Sequence, residues 1–128
     1  MSRSVHLADL QYRIMRELWD RGEASVAEVH QALSDDGTRA LTTIATMLTK
    51  MEKKGVVEHR TAGRQYIYRP TVTEAEVHRS MVADLTDRLF QGDVGALVNH
   101  LLTEQEIDPD ELSRLRKLIA RREREERS

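Results

Sequence analysis

The most constraining feature of this chain is the abrupt change of periodicity at Gly55. Upstream of it, apolar residues recur at helical spacing. Downstream, two short runs, Val56–Arg60 and Gln65–Arg69, alternate as strands do around Thr61-Ala62-Gly63, and Pro70 ends the second. A lone hairpin of this size is not stable in water, so it must pack on the helices that precede it.

Those helices are well marked. Leu7, Leu10, Ile14 and Leu18, widened by Met15 and Trp19, predict a first helix from about Ala8 to Arg21, stopped by Gly22. Ser25 and Glu28 form a reciprocal capping box that opens a second helix with apolar face Val26, Val29 and Leu33. It ends in the turn cluster Ser34-Asp35-Asp36-Gly37. A third helix runs from about Leu41 to Lys54, with Gly55 as its C-terminal stop. Three helices followed by a hairpin is the order of a winged helix-turn-helix, expected over residues 1–71.

From Thr73 the pattern is purely helical. Thr73 and Glu76 form another capping box, and Val77, Met81, Leu85 and Leu89 follow at four-residue intervals up to Gly92. A short helix carries Leu97, Val98, Leu101 and Leu102. Asp108-Pro109-Asp110-Glu111 starts a last helix presenting Leu112, Leu115, Leu118 and Ile119, which is expected to fray from Arg121. Residues 72–128 therefore read as a helical region, and the fold class is mainly α. Most helical stability comes from packing an apolar face. The stripes Val77/Met81/Leu85/Leu89, Leu97/Leu101 and Leu112/Leu115/Ile119 need a partner, and a second copy supplies one symmetrically. A homodimer is the expectation, against the alternative that these helices fold back on their own N-terminal domain.

Charge sharpens the division. The net charge is −2, but residues 1–70 carry 11 Lys/Arg against 9 Asp/Glu, and residues 71–128 carry 9 against 13. Within 39–69, Arg39, Lys50, Lys53, Lys54, Arg60, Arg64 and Arg69 face only Glu52 and Glu58. A basic segment on an acidic chain is the electrostatic footprint of a DNA-contacting element. On a helical wheel Ile44, Met47, Leu48 and Met51 form one face of the third helix, and Thr42, Thr46, Thr49 and Lys53 lie opposite. Thr43 lies nearer the edge, and Arg39, Ala45 and Lys50 flank the polar face. Threonine is a middling helix former, so this face is not optimised for stability or solubility. It suits a major groove, where short hydroxyl side chains approach closely and can meet a thymine methyl. Thr42, Thr43, Thr46 and Lys50 are expected to face bases; Arg39, Lys53, Lys54 and, on the hairpin, Arg64 are expected to hold phosphates. Tyr68 is expected to pack on the helices, and Trp19 to anchor the core.

Other chemistries find little footing. There is no cysteine, no run of about 18 apolar residues and no secretory pattern, so a cytoplasmic protein without membrane insertion is expected. His6, His30, His59, His78 and His100 are scattered. Glu74 with His78 supplies two ligands where a metal site needs three or four. No catalytic or phosphate-loop spacing occurs, and neither an enzyme nor a cofactor is expected.

Several stretches together resemble the penicillinase repressors (BlaI/MecI). They are Leu18-Trp19, Thr42-Thr43-Ile44, Lys53-Lys54-Gly55-Val56-Val57 and Gly63-Arg64-Gln65-Tyr66-Ile67-Tyr68-Arg69-Pro70. The resemblance implies a homodimeric repressor on a dyad-symmetric double-stranded DNA operator, with the third helix in the major groove and the C-terminal helices as the dimer interface. It also implies release through a membrane metallopeptidase sensor that triggers cleavage in the C-terminal region. Where such repressors are cut at an Asn-Phe bond, this chain carries His100-Leu101. The copper-responsive relatives use a C-terminal cysteine cluster, which this chain lacks. Two other uses of the same fold are a protein-interaction adapter and a small-molecule-responsive regulator.

Overall fold

The computed structural model describes residues 5–34 and 40–127. Its contacts group into two compact units, residues 1–84 and 85–128.

In the first unit, α1 (Asp9–Arg21) buries Ile14, Met15 and Leu18 completely. Gly22, at φ +85°, closes the helix with its N–H on the Leu18 carbonyl. The chain then makes a two-residue strand, β1 (Ala24–Ser25), and turns directly into α2 (Val26–Leu33). The capping box there is formed: Glu28 N–H donates to Ser25 Oγ at 3.1 Å, and Ser25 N–H donates to Glu28 Oε1 at 2.9 Å. α3 (Leu41–Lys54) buries Ile44, Leu48 and Met51 and ends on Gly55 at φ +87°. The N–H groups of Gly55 and Val56 both reach the Met51 carbonyl, so the last turn is closed as a glycine C-cap requires.

The hairpin is β2 (Val57–Ala62) and β3 (Gln65–Pro70), paired antiparallel with Ala62 opposite Gln65. The connection is therefore the two residues Gly63-Arg64 rather than Thr61-Ala62-Gly63. Gly63 has φ +63°, and a glycine at the first central position of a two-residue turn matches the right-handed twist of the strands. Strand order is β1-β3-β2, with Ala24 opposite Tyr68. Val56, Val57 and Tyr68 close the core against the three helices. Trp19 sits at its margin, its indole N–H donating to the Val72 carbonyl at 2.9 Å.

α4 (Glu74–Phe90) begins in this unit, capped by Thr73, whose Oγ accepts the Glu76 N–H. Ser80 on α4 accepts the Val5 N–H at 2.7 Å, and Tyr12 Oη lies 2.7 Å from His78 Nε2. Val77 is fully buried in the core, and Met81 packs against it half-buried. This corrects the expected stripe: four-residue spacing shows which side of α4 is apolar, and Val77 spends that side on its own chain.

The second unit contains the end of α4, α5 (Val94–Glu104) and α6 (Pro109–Arg127). Asp93 caps α5 by accepting the Ala96 N–H, and Asp108 caps α6 by accepting that of Glu111. α6 stays helical to Arg127 instead of fraying at Arg121, with the i,i+4 pairs Arg121–Glu125 and Arg122–Glu126 along its last turns. Neither α5 nor α6 buries a single residue. Leu85, Leu89, Leu101, Leu112 and Ile119 are exposed, and Leu97 and Leu115 are half-buried. No helix among the described residues is long and apolar enough to cross a membrane.

Candidate nucleic-acid interface

α3 has two faces of opposite character. Burial of Ile44, Leu48 and Met51 fixes its rotation, and that rotation leaves Thr42, Thr43, Thr46, Thr49, Lys50 and Lys53 exposed. Thr49 Oγ1 donates to the Ala45 carbonyl at 3.0 Å, a local bond that holds its side chain along the helix. Arg64 is exposed in the hairpin turn. Among the described residues Lys50, Lys53 and Arg64 make no ion pair. Arg39 lies outside the described residues, as do Asp35-Asp36-Gly37 of the expected turn cluster.

The remaining basic residues of the segment are already engaged. Arg60 pairs with Glu23 through two hydrogen bonds, the shorter 2.8 Å, and Arg69 pairs with Glu58, its register partner across the hairpin. The hydrogen bond from Arg60 holds the Glu23 carboxyl below the usual carboxylate range, and the same bond raises Arg60 further. Lys54 was expected to hold a phosphate, but its Nζ donates to the His6 carbonyl at 2.9 Å and to Gln11 Oε1 at 3.1 Å. Its ammonium ties the start of the chain to the end of α3. The basic excess counted along 39–69 thus reduces, among the described residues, to three free cations: two on α3 and one at the hairpin tip.

Polar and aromatic contacts join that hairpin to α3. Tyr68 is buried, and its phenol pKa is raised, chiefly by burial and further by the Glu52 carboxylate, while a hydrogen bond with Thr49 opposes the shift. His59 Nδ1 lies 2.7 Å from Glu52 Oε1, and its ring stacks on Tyr66 with centroids 4.1 Å apart. The expectation that Tyr68 packs on the helices holds; the part played by His59 and Tyr66 was not legible, because the pair Glu52/His59 meets only once α3 and β2 fold together.

An exposed helix face of hydroxyls and unpaired ammonium groups, flanked by a guanidinium on a projecting turn, can approach a regular polyanion closely while keeping hydrogen-bonding groups toward it.

Comparison with known proteins agrees with this geometry. Residues 7–121 match the family model described as Penicillinase repressor. The chain is 30% identical over 122 residues to the transcriptional regulator BlaI of Mycobacterium tuberculosis, covering 94% of this chain and 87% of that one. It is 24% identical over 119 residues to the penicillinase repressor of Bacillus licheniformis, covering 93% of each. Among solved structures it resembles the monomeric form of B. licheniformis BlaI in complex with the blaP half-operator. That match has a TM-score of 0.51 and 30% identity, over 59% of this chain and 93% of that one. With its winged helix, its free α3 face and a family match over nearly its whole length, the chain belongs to the penicillinase repressor family.

Proposed function

We propose that this protein is a transcriptional repressor that binds a dyad-symmetric operator as a homodimer, laying α3 in the major groove and the hairpin along the phosphate backbone. The observation that carries it is the contrast within the basic segment. Arg60, Arg69 and Lys54 are spent on the fold, whereas Lys50, Lys53 and Arg64 stand unpaired beside four exposed threonines. The related BlaI domain seen on its half-operator supports the same use of this fold here.

In this reading Thr42, Thr43, Thr46 and Lys50 meet base edges, and Lys53 and Arg64 hold phosphates. Leu85 and Leu89, exposed at the end of α4, and Leu101, Leu112 and Ile119, exposed on two helices that bury nothing, meet the second copy, with Leu97 and Leu115 beside them. Occupying a promoter in this way excludes polymerase without any chemistry, so regulation and not catalysis is the output.

Selection of binding sites from a random duplex library tests this. Enrichment of an inverted repeat with half-sites roughly one helical turn apart is the expected result; no enrichment at all would overturn it. On the selected duplex, Arg64→Ala should weaken binding to matched and unrelated sequences alike. It should also lower the slope of log K against log salt by about 0.9 for each phosphate that the guanidinium no longer neutralises. An unchanged slope would remove Arg64 from the interface. Thr46→Ala should instead relax preference at one base step, read by repeating the selection with the variant.

A further inference from the structure

The C-terminal end of α3 is tied to α4 and its lead-in at two separate places. Where the hairpin leads toward α4, the Thr71 N–H donates to the Val56 carbonyl at 2.9 Å, and Thr71 Oγ1 donates to the Gly55 carbonyl at 2.6 Å. This fixes where α4 starts. The second tie runs through residues 5–8. Lys54 Nζ, in the last turn of α3, donates to the His6 carbonyl, and the Val5 N–H donates to Ser80 Oγ, about two turns into α4.

Residues 5–8 are built as a strap. Val5 and Leu7 are buried while His6 and Ala8 are exposed, the alternation of an extended segment. The two inward side chains join the core that holds Met51 of α3 and Val77 of α4. The backbone then carries the polar ties: His6 through its carbonyl to α3, Val5 through its N–H to α4, and Ala8 through its N–H to Gln11 Oε1 at 3.1 Å. Gln11 Oε1 accepts from Lys54 Nζ as well, so α1 belongs to the same junction. An ammonium with three donors on a flexible stem can hold acceptors from two elements at once. Tyr12 Oη, beside His78 Nε2, adds a contact from α1 to α4 that leaves α3 out.

A helix held only at its start can pivot, and a second tie along its length fixes its direction. α4 is one helix of 17 residues. A tilt of roughly 10° about Glu74 moves Phe90, about 24 Å away, by about 4 Å, more than the rise of about 3.4 Å per base pair.

Resting on the dimeric DNA-binding reading above, we propose that the strap 5–8 determines which half-site spacing the dimer accepts, with Lys54 and Ser80 as positioning residues. In a dimer joined through its C-terminal helices, the path between the two reading helices runs along α4 of each copy. Stiffening the joint between α3 and α4 narrows the range of spacings at which both copies bind together. Lys54 neighbours Lys53, which faces outward unpaired, yet it is turned onto oxygens of its own chain. It serves the reading surface through α4 and not by touching the duplex.

The experiment uses the full-length chain and the inverted repeat enriched by binding-site selection, rebuilt as a series in which the half-sites move apart or together by single base pairs. Fluorescence anisotropy gives the affinity for each spacing and for one isolated half-site. Wild type should prefer one spacing over its neighbours by about tenfold, and Lys54→Met/Ser80→Ala should flatten that preference to about twofold, as when the connection between two binding modules is loosened. Both proteins should bind the isolated half-site within about twofold of each other and with the same salt slope, because no group facing the duplex has changed. Lys54→Arg, which keeps several donors at the end of a long stem, should retain the sharp preference.

A thermal melt accompanies each variant, and the single substitutions Lys54→Met and Ser80→Ala carry the same test should the double variant fail to fold. A spacing profile unchanged in the variants overturns the inference, and so does a wild-type protein indifferent to spacing. A half-site affinity that falls together with the salt slope in Lys54→Met would make Lys54 a phosphate contact and overturn it too. A wild-type protein that enriches no duplex overturns the DNA-binding reading itself. A sharp wild-type preference that survives loss of both clasps overturns only this one.

Discussion

Replacing Leu101 and Ile119 together by glutamate is expected to give a monomer that binds its operator about 10²- to 10⁴-fold more weakly, the range by which linking two binding modules raises avidity. The expectation starts from the second unit. α5 has 11 residues and α6 has 19, and neither buries one of them within the chain. An isolated helix of 11 residues is marginal in water, because nucleation is costly and each added residue contributes little. Leu89 and Val94 at 63% exposure and Ile119 at 57% are among the uncovered aliphatic side chains of this unit, and exposed apolar surface of this kind marks an interaction site when it is contiguous. A second copy covering them would supply what these helices lack and would place two α3 helices on one duplex. Glutamate on those faces would have to be buried without a partner at the interface, so association fails before the N-terminal unit is touched. Light scattering at micromolar concentration should show a dimer for wild type and a monomer for the variant. Binding to a single half-site should be nearly unchanged, and the weakening should appear only on the full inverted repeat. A wild-type protein that is already monomeric, or a variant that keeps full operator affinity, would contradict this account. Far-ultraviolet circular dichroism adds a second readout: helix signal in the variant should fall, since its C-terminal helices stand without cover.

How legible this was in the sequence depended on the range of the interaction. Capping residues, glycine stops and apolar periodicity act within a few positions, so the helices and hairpin around Gly55 could be read directly. Thr73/Glu76 and Asp108/Glu111 are formed as their spacing requires. β1 was not legible: two residues carry no alternation, and their pairing with Tyr68 and Ile67 comes from far along the chain. Lys54 misled for the same reason, because its acceptors, His6 and Gln11, are 48 and 43 residues away. A count of basic residues likewise cannot see that Arg60 meets Glu23 and Arg69 meets Glu58. Val77 shows the sharpest limit. A stripe at helical spacing identifies an apolar face, but whether the chain itself covers it is decided by packing. On α4 the outcome changes along the helix, from a buried Val77 to an exposed Leu89.

Leu48→Ala should cost about 3–5 kcal/mol of folding free energy, a large share of the 5–15 kcal/mol that holds a typical domain together. Leu48 is completely buried, midway along α3 between Ile44 and Met51, in the cluster shared with Ile14, Leu18 and Val29. Removing its side chain forfeits the transfer of those atoms from water and leaves a cavity that surrounding helices cannot close without moving α3. Thr46 is only two positions away but exposed, and Thr46→Ala should change stability by no more than about 0.5 kcal/mol. The two substitutions therefore separate the two duties of one helix. Urea melts at a fixed protomer concentration, needed because association adds to apparent stability, should show a much lower midpoint for Leu48→Ala with the same slope. On the operator the order should reverse. Leu48→Ala, assayed where it is still folded, should keep its sequence preference, while Thr46→Ala should lose discrimination at one step. A cost below about 1 kcal/mol for Leu48→Ala would mean that the site collapses around the smaller side chain. The rotation of α3 would then not be fixed by its buried face, and neither would the outward aim of its threonines and lysines.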